Sequence, residues 1–156
     1  MIYIFDTNSF KVLGNYFPES FPTVWERINL LVSEGRLKSV REVLKEVESG
    51  NNKRFVLVWI NLNKQIFLEP TDDESLFVAE IFSIKNLRDL VIEKARLQGN
   101  PVAAPFIIAC AKIRNGCVVT EEVFKPNAPK IPTVCQHFSI DCTNVQGLME
   151  REGWRF

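Results

Sequence analysis

Five acidic residues stand where they could do chemistry: Asp6, Glu42, Glu46, Glu121 and Glu122. Asp6 closes the apolar run Ile2-Tyr3-Ile4-Phe5, and Glu121 and Glu122 follow the apolar run Cys117-Val118-Val119-Thr120. Glu42 and Glu46 are four residues apart, so on a helix they share a face. Carboxylates brought together repel one another and resist ionising together. A hard divalent cation such as Mg²⁺ or Mn²⁺ relieves that repulsion, prefers oxygen ligands and keeps several of its waters. Such a cation can activate water towards a phosphodiester and steady the charge that develops. Each acid also has a purely structural reading. Asp6 would serve as a turn or helix cap, Glu42 and Glu46 as a solvated face beside Arg41 and Lys45, and Glu121 and Glu122 as loop charge. Their common placement carries the chemical reading, and no single residue does.

The elements that must position these acids follow from apolar runs and breakers. Residues 2–5 read as a short buried strand, stopped by the capping group Asp6-Thr7-Asn8-Ser9. A helix is expected from Phe21 or Pro22 to Ser33, with Pro22 in its first turn and Gly35 closing it. Strands are expected at Leu37–Val40, Ile66–Leu68, Cys117–Thr120 and Ser139–Thr143. Helices are expected at Arg41–Ser49, Lys53–Leu62, Pro105–Asn115, Pro132–Phe138 and Val145–Glu152. Residues 72–98 read as helical, in two pieces meeting near Ser83, and residues 99–101 as a loop. Alternating strands and helices imply an α/β domain with a parallel sheet covered on both faces. In such a fold the ligand site lies beyond the carboxyl ends of the strands, where Asp6 and the Glu121–Glu122 pair emerge.

The chain of 156 residues suits one domain, and 46% hydrophobic with 24% charged residues is ordinary for a globular protein. No apolar run approaches the roughly 20 residues that span a bilayer. The opening segment lacks the basic start of a signal peptide, so a cytoplasmic location is expected. Nineteen basic and nineteen acidic residues give zero net charge, which removes any chain-wide basic footprint for nucleic acid. The four cysteines, Cys110, Cys117, Cys135 and Cys142, form no C-x-x-C pair. His137 lies near Cys135, but the spacing does not suit common zinc sites, and buried reduced thiols are expected.

Four segments together resemble the PIN domain, a metal-dependent nuclease fold. They are Asp6-Thr7-Asn8 after the first strand, Ser39 to Glu46, Val102 to Ala109, and Val118 to Glu122. The tail, with Lys130-Ile131-Pro132 and Glu152-Gly153-Trp154-Arg155-Phe156, is similar to a bacterial PIN-like subfamily, some members of which are toxins encoded beside an antitoxin. The resemblance spans residues 1–156 as a single domain. It implies a three-layer α/β/α fold with a central parallel sheet of four to five strands. It also implies a Mg²⁺- or Mn²⁺-dependent endoribonuclease acting on RNA. Asp6, Glu46 and Glu122 would be the metal-facing acids, with Glu42 and Glu121 as weaker candidates. Thr7, Asn8 and Thr120 would orient the site or contact phosphate. A cognate antitoxin and pairing into a homodimer, with Trp154 and Phe156 available to an interface, are implied by the same resemblance.

The family's third acid falls on Ala104 here. Ala104 precedes Pro105, which suits a first helical position, so Ala104 is expected at the N-cap. Alanine is poorer there than Asp by about 1 kcal/mol. Two explanations remain. The chain is a natural inactive relative kept as an RNA- or protein-binding module, or it carries a deliberate Asp-to-Ala change. The intact Asp6, Glu46 and Glu122 favour the second, since loss of function would place no demand on them. Weak or absent metal binding and little cleavage are expected. A phosphatase of the haloacid-dehalogenase type also begins with a strand ending in Asp, but it needs a second Asp where Asn8 stands.

Overall fold

Three short runs, buried at every position but Lys38, set the sheet. Tyr3–Phe5 (β1), Leu37–Val40 (β2) and Cys117–Val119 (β4) present almost no side chain to water, as strands covered on both faces must. Phe67–Leu68 (β3) and Asp141–Thr143 (β5) complete a five-stranded sheet in the order β3-β2-β1-β4-β5. Every pairing is parallel, with Tyr3 opposite both Leu37 and Cys117, Ser39 opposite Phe67, and Cys117 opposite Asp141. The direction of winding therefore reverses between β1 and β4, the place where open α/β sheets bind ligands.

This computed structural model describes all residues except 86, 89–90, 93–96, 98–101 and 129. Among the described residues eight α-helices flank the sheet in a three-layer α/β/α arrangement. They are Thr7–Leu13 (α1), Pro22–Ser33 (α2), Arg41–Ser49 (α3), Arg54–Leu62 (α4), Asp72–Phe82 (α5), Ala104–Arg114 (α6), Ile131–His137 (α7) and Val145–Arg151 (α8). Helices α1, α3 and α4 pack together, as do α5, α6 and α7. The abundant phenylalanines serve the core. Phe10 lies 5.3 Å from Phe5, 5.5 Å from Phe67 and 6.2 Å from Trp59, and Trp25 meets Phe55 and Trp59 edge-on. No helix among the described residues is long and apolar enough to cross a membrane.

The sequence-based boundaries shift at several places, each for a local reason. Helix α1 begins directly after Asp6, whose Oδ1 caps it by accepting the Ser9 N–H at 2.8 Å. Helix α6 starts at Ala104, so the N-cap is Ala103 and not Ala104. Ile66 belongs to a 3₁₀ turn of residues Lys64–Ile66, which shortens β3. Ser139 takes a left-handed conformation (φ 56°), which delays β5 to Asp141. Helix α5 ends at Phe82 with Ser83 as its C-cap, and a capping box of Thr71 and Glu74 opens it. The second helical piece expected up to residue 98 falls largely outside the described residues, and so does the loop at 99–101.

Candidate active site

Asp6 leaves β1 at the switch point and is only 3% exposed. Its backbone N–H bonds the Val119 carbonyl at 3.0 Å, which ties it to the end of β4. The Thr120 hydroxyl donates to Asp6 Oδ2 at 2.5 Å and accepts the Glu122 N–H at 3.1 Å. One buried hydroxyl thus links the first acid to the backbone of the last. Burial pushes the Asp6 carboxyl above its usual range. Donation from Thr120 and Ser9 pulls it back in part, and the Glu121 charge adds to the rise.

Glu46 reaches the same place from the second turn of α3. Its Oε2 accepts the Thr7 hydroxyl at 2.6 Å and its Oε1 accepts the Ala103 N–H at 3.0 Å. The second bond satisfies a donor at the start of α6, where Ala103 has no cap-forming side chain. The positive end of that helix also favours a carboxylate. Glu46 therefore holds the third segment of the chain against the first.

These groups line one cleft of about 190 Å³, walled by Asp6, Thr7, Asn8, Glu46, Ala104 and Glu122. Seven expected positions are thus brought together when Thr120, bonded beneath Asp6, is included. The methyl of Ala104 faces the space where an acid was expected. Among the described residues no three carboxylate, imidazole or thiol groups are gathered tightly enough to form a ready-made metal cage.

Two weaker candidates stand apart from the cleft. Glu42 shares the helical face of Glu46 but is 3% exposed one turn earlier, with Oε1 near Arg41 Nε at 3.3 Å and Oε2 without a hydrogen-bond partner. Glu121 turns towards β5 and accepts the Val145 N–H at 3.2 Å, at the start of α8. The four cysteines are free, and burial pushes the Cys110 and Cys117 thiols up to about 12, as expected for unreactive buried thiols.

Two participants escaped the sequence reading. Lys130, at the N-cap of α7, lines the cleft and supplies a cation beside the acids. The sequence reading named it only within the Lys130-Ile131-Pro132 similarity and gave it no place at the acids. Ser9 is wholly buried, giving its N–H to Asp6 and its hydroxyl to the Val119 carbonyl at 2.8 Å. Its adjacency to Asp6-Thr7-Asn8 was visible, but not which partner it would take.

The architecture and the placement of the cleft define a three-layer α/β/α protein with an acidic cleft at the sheet's switch point. The chain belongs to the family described as "Domain of unknown function (DUF4411)", whose model matches residues 3–156. No curated protein matches it in sequence. Among solved structures it is similar to a chain of VapBC2 from Rickettsia felis, a complex bound to a DNA fragment from its promoter. The TM-score is 0.52 at 14% identity, covering 92% of this chain and 98% of that one, a likeness of fold.

Proposed function

We propose that this chain is a PIN-type endoribonuclease, the toxin half of a toxin–antitoxin pair, weakened by alanine at position 104. The observation that carries the reading is the meeting of Asp6, Glu46 and Glu122 in one cleft beside Ala104. The fold shared with a chain of VapBC2 supports an antitoxin partner. Pairing into a homodimer is proposed on the family resemblance alone.

The donor set suits Mg²⁺ or Mn²⁺, because all three groups are hard oxygen donors. Asp6 and Glu46 each accept one described hydrogen bond per oxygen, which leaves lone pairs for a further ligand. Asp6, Glu46 and Glu122 would hold the ion, with most of its waters retained in the absence of a fourth carboxylate. When bound, the ion supplies charge stabilisation and water activation. This chain's own groups do the rest. Thr120 and Ser9 hold Asp6 in one orientation, Thr7 and the Ala103 N–H hold Glu46, and Lys130 and Asn8 at the rim receive a phosphate oxygen. Asp at 104 would add the missing charge from the first turn of α6.

The second reading, a non-catalytic module that binds RNA or protein, is favoured by Ala104 and by the hydrogen bonds that occupy Asp6 and Glu46. The two readings separate in one assay: the chain and its Ala104→Asp form are incubated with total RNA and Mn²⁺, Mg²⁺ or EDTA. Cleavage by the Asp form that EDTA stops, with the present chain at least about a hundredfold slower, supports the nuclease. Silence of both forms under every metal leaves the binding module as the function.

A further inference from the structure

A second hollow adjoins the acid cleft and shares Glu122 with it. This open groove of about 520 Å³ runs from the carboxyl end of β4 to β5 and is lined by Thr120, Glu122, Phe124, Gln136, Thr143 and Asn144, among others. Its volume falls in the range of about 300–1,000 Å³ usual for small-molecule sites. Among the described residues no lysine or arginine lines it, whereas Glu122 and Asp141 do, and Arg151 holds both Asp141 oxygens at 2.7 and 3.0 Å. A phosphate is therefore unwelcome in the groove, and an uncharged, hydrogen-bonding ring is not.

Phe124 points to the same occupant. It is 46% exposed on a loop that is pinned on both sides. On one side the Glu122 N–H bonds Thr120 Oγ1. On the other, the Lys125 N–H and carbonyl both bond the Thr133 hydroxyl, at 3.2 and 2.7 Å. A half-exposed ring on a fixed loop adds little to folding and is ready-made for stacking. Asn144 Oδ1 accepts the Gly147 N–H at 2.8 Å, which leaves its side-chain amide N–H groups as donors, and Gln136 offers both donor and acceptor. Stacking against an aromatic with amides at the ring edge is how proteins hold unpaired bases of RNA.

We propose that this groove is a nucleobase subsite, which seats one unpaired base of single-stranded RNA on Phe124 while the neighbouring phosphate lies at the acids. The proposal rests on the ribonuclease reading for its choice of RNA, but it is tested without cleavage. The probe is a short fluorescein-labelled single-stranded RNA, intact or abasic, titrated with the full chain in EDTA and followed by anisotropy. Phe124→Ala is expected to weaken binding of intact RNA about tenfold, Phe124→Trp to retain it, and abasic RNA to bind no better than intact RNA binds Phe124→Ala. Unchanged affinity in Phe124→Ala, equal binding of abasic and intact RNA, or no binding at all overturns the subsite, with a protein segment then the occupant to seek. Failure of the Ala104→Asp form to cleave, with the base-dependent binding present, removes the nuclease reading and keeps the subsite. Cleavage with no Phe124 effect does the reverse.

Discussion

Asp6 shows the conflict that a site of this kind builds into a fold. It is buried, it is one bond from a neighbouring strand, and its carboxyl is held above the ordinary range chiefly by loss of water. An acid whose folded pKa is raised binds its proton more tightly when folded. Its penalty is absent below the unfolded value of about 3.9 and grows as pH rises through the folded one. Asp6→Asn is therefore expected to stabilise the metal-free chain by about 1 kcal/mol at pH 7. The gain should vanish as the pH falls towards about 4, which thermal melts at the two pH values would show. The identity of the site acids was partly legible at this scale. Asp6 and Glu122 follow strands, so their edge could be read directly. Glu42 and Glu46 share a helical face, so the spacing alone did not separate them, and the preference for Glu46 came from the family resemblance. In the fold Glu46 lines the cleft, where its carboxylate accepts the N–H of Ala103, 57 residues away.

At the scale of elements, order and type were legible apart from α1, of which only the capping group was read, and boundaries were not. Apolar runs marked β1 and β4, but the capping geometry that starts α1 at Thr7 and α6 at Ala104 depends on partners elsewhere in the chain. The packing of α5 on α6 rests on one such distant pairing. Glu74, 1% exposed, caps α5 with Thr71 and accepts Arg114 Nε at 2.9 Å. Arg114→Met leaves that carboxylate buried without its cation. The loss is expected to be about 2 kcal/mol, less than the about 3–5 kcal/mol of a fully enclosed pair, because the Arg114 side chain is 34% exposed. Chemical denaturation of the variant would measure it, and Glu74→Gln in the same background should recover much of the loss.

Across the whole molecule, the two ends of the sheet do different work. The carboxyl ends of β1 and β4 carry the acids and the groove. The opposite end is closed by the C-terminal segment. There Glu152 Oε2 accepts the Tyr3 hydroxyl at 2.7 Å and Arg36 at 2.6 Å, Trp154 packs on the core, and Arg27 lies 5.7 Å over Phe156. Trp154 was open to an interface role in sequence, yet it is partly covered by its own chain. Arg36, followed by the Tyr3 hydroxyl, holds the Glu152 carboxyl below its usual range. A lowered folded pKa contributes stability that is present above the unfolded value of about 4.3 and lost as pH falls through the folded one. Melting temperature should therefore fall with acid in that window, and Glu152→Gln should flatten the fall while lowering stability at neutral pH. With zero net charge, the RNA binding proposed above would draw on the cleft and groove, with little help from the surface as a whole.

The central claim is that Asp6, Glu46 and Glu122 form a cation site that lacks one carboxylate at position 104. Mn²⁺ titration by calorimetry of this chain, its Ala104→Asp form and the Ala104→Asp/Glu46→Gln double variant tests it most directly. Ala104→Asp is expected to bind Mn²⁺ at least about tenfold tighter than the present chain, and adding Glu46→Gln is expected to remove the gain. Equal Mn²⁺ affinity in all three would contradict the claim.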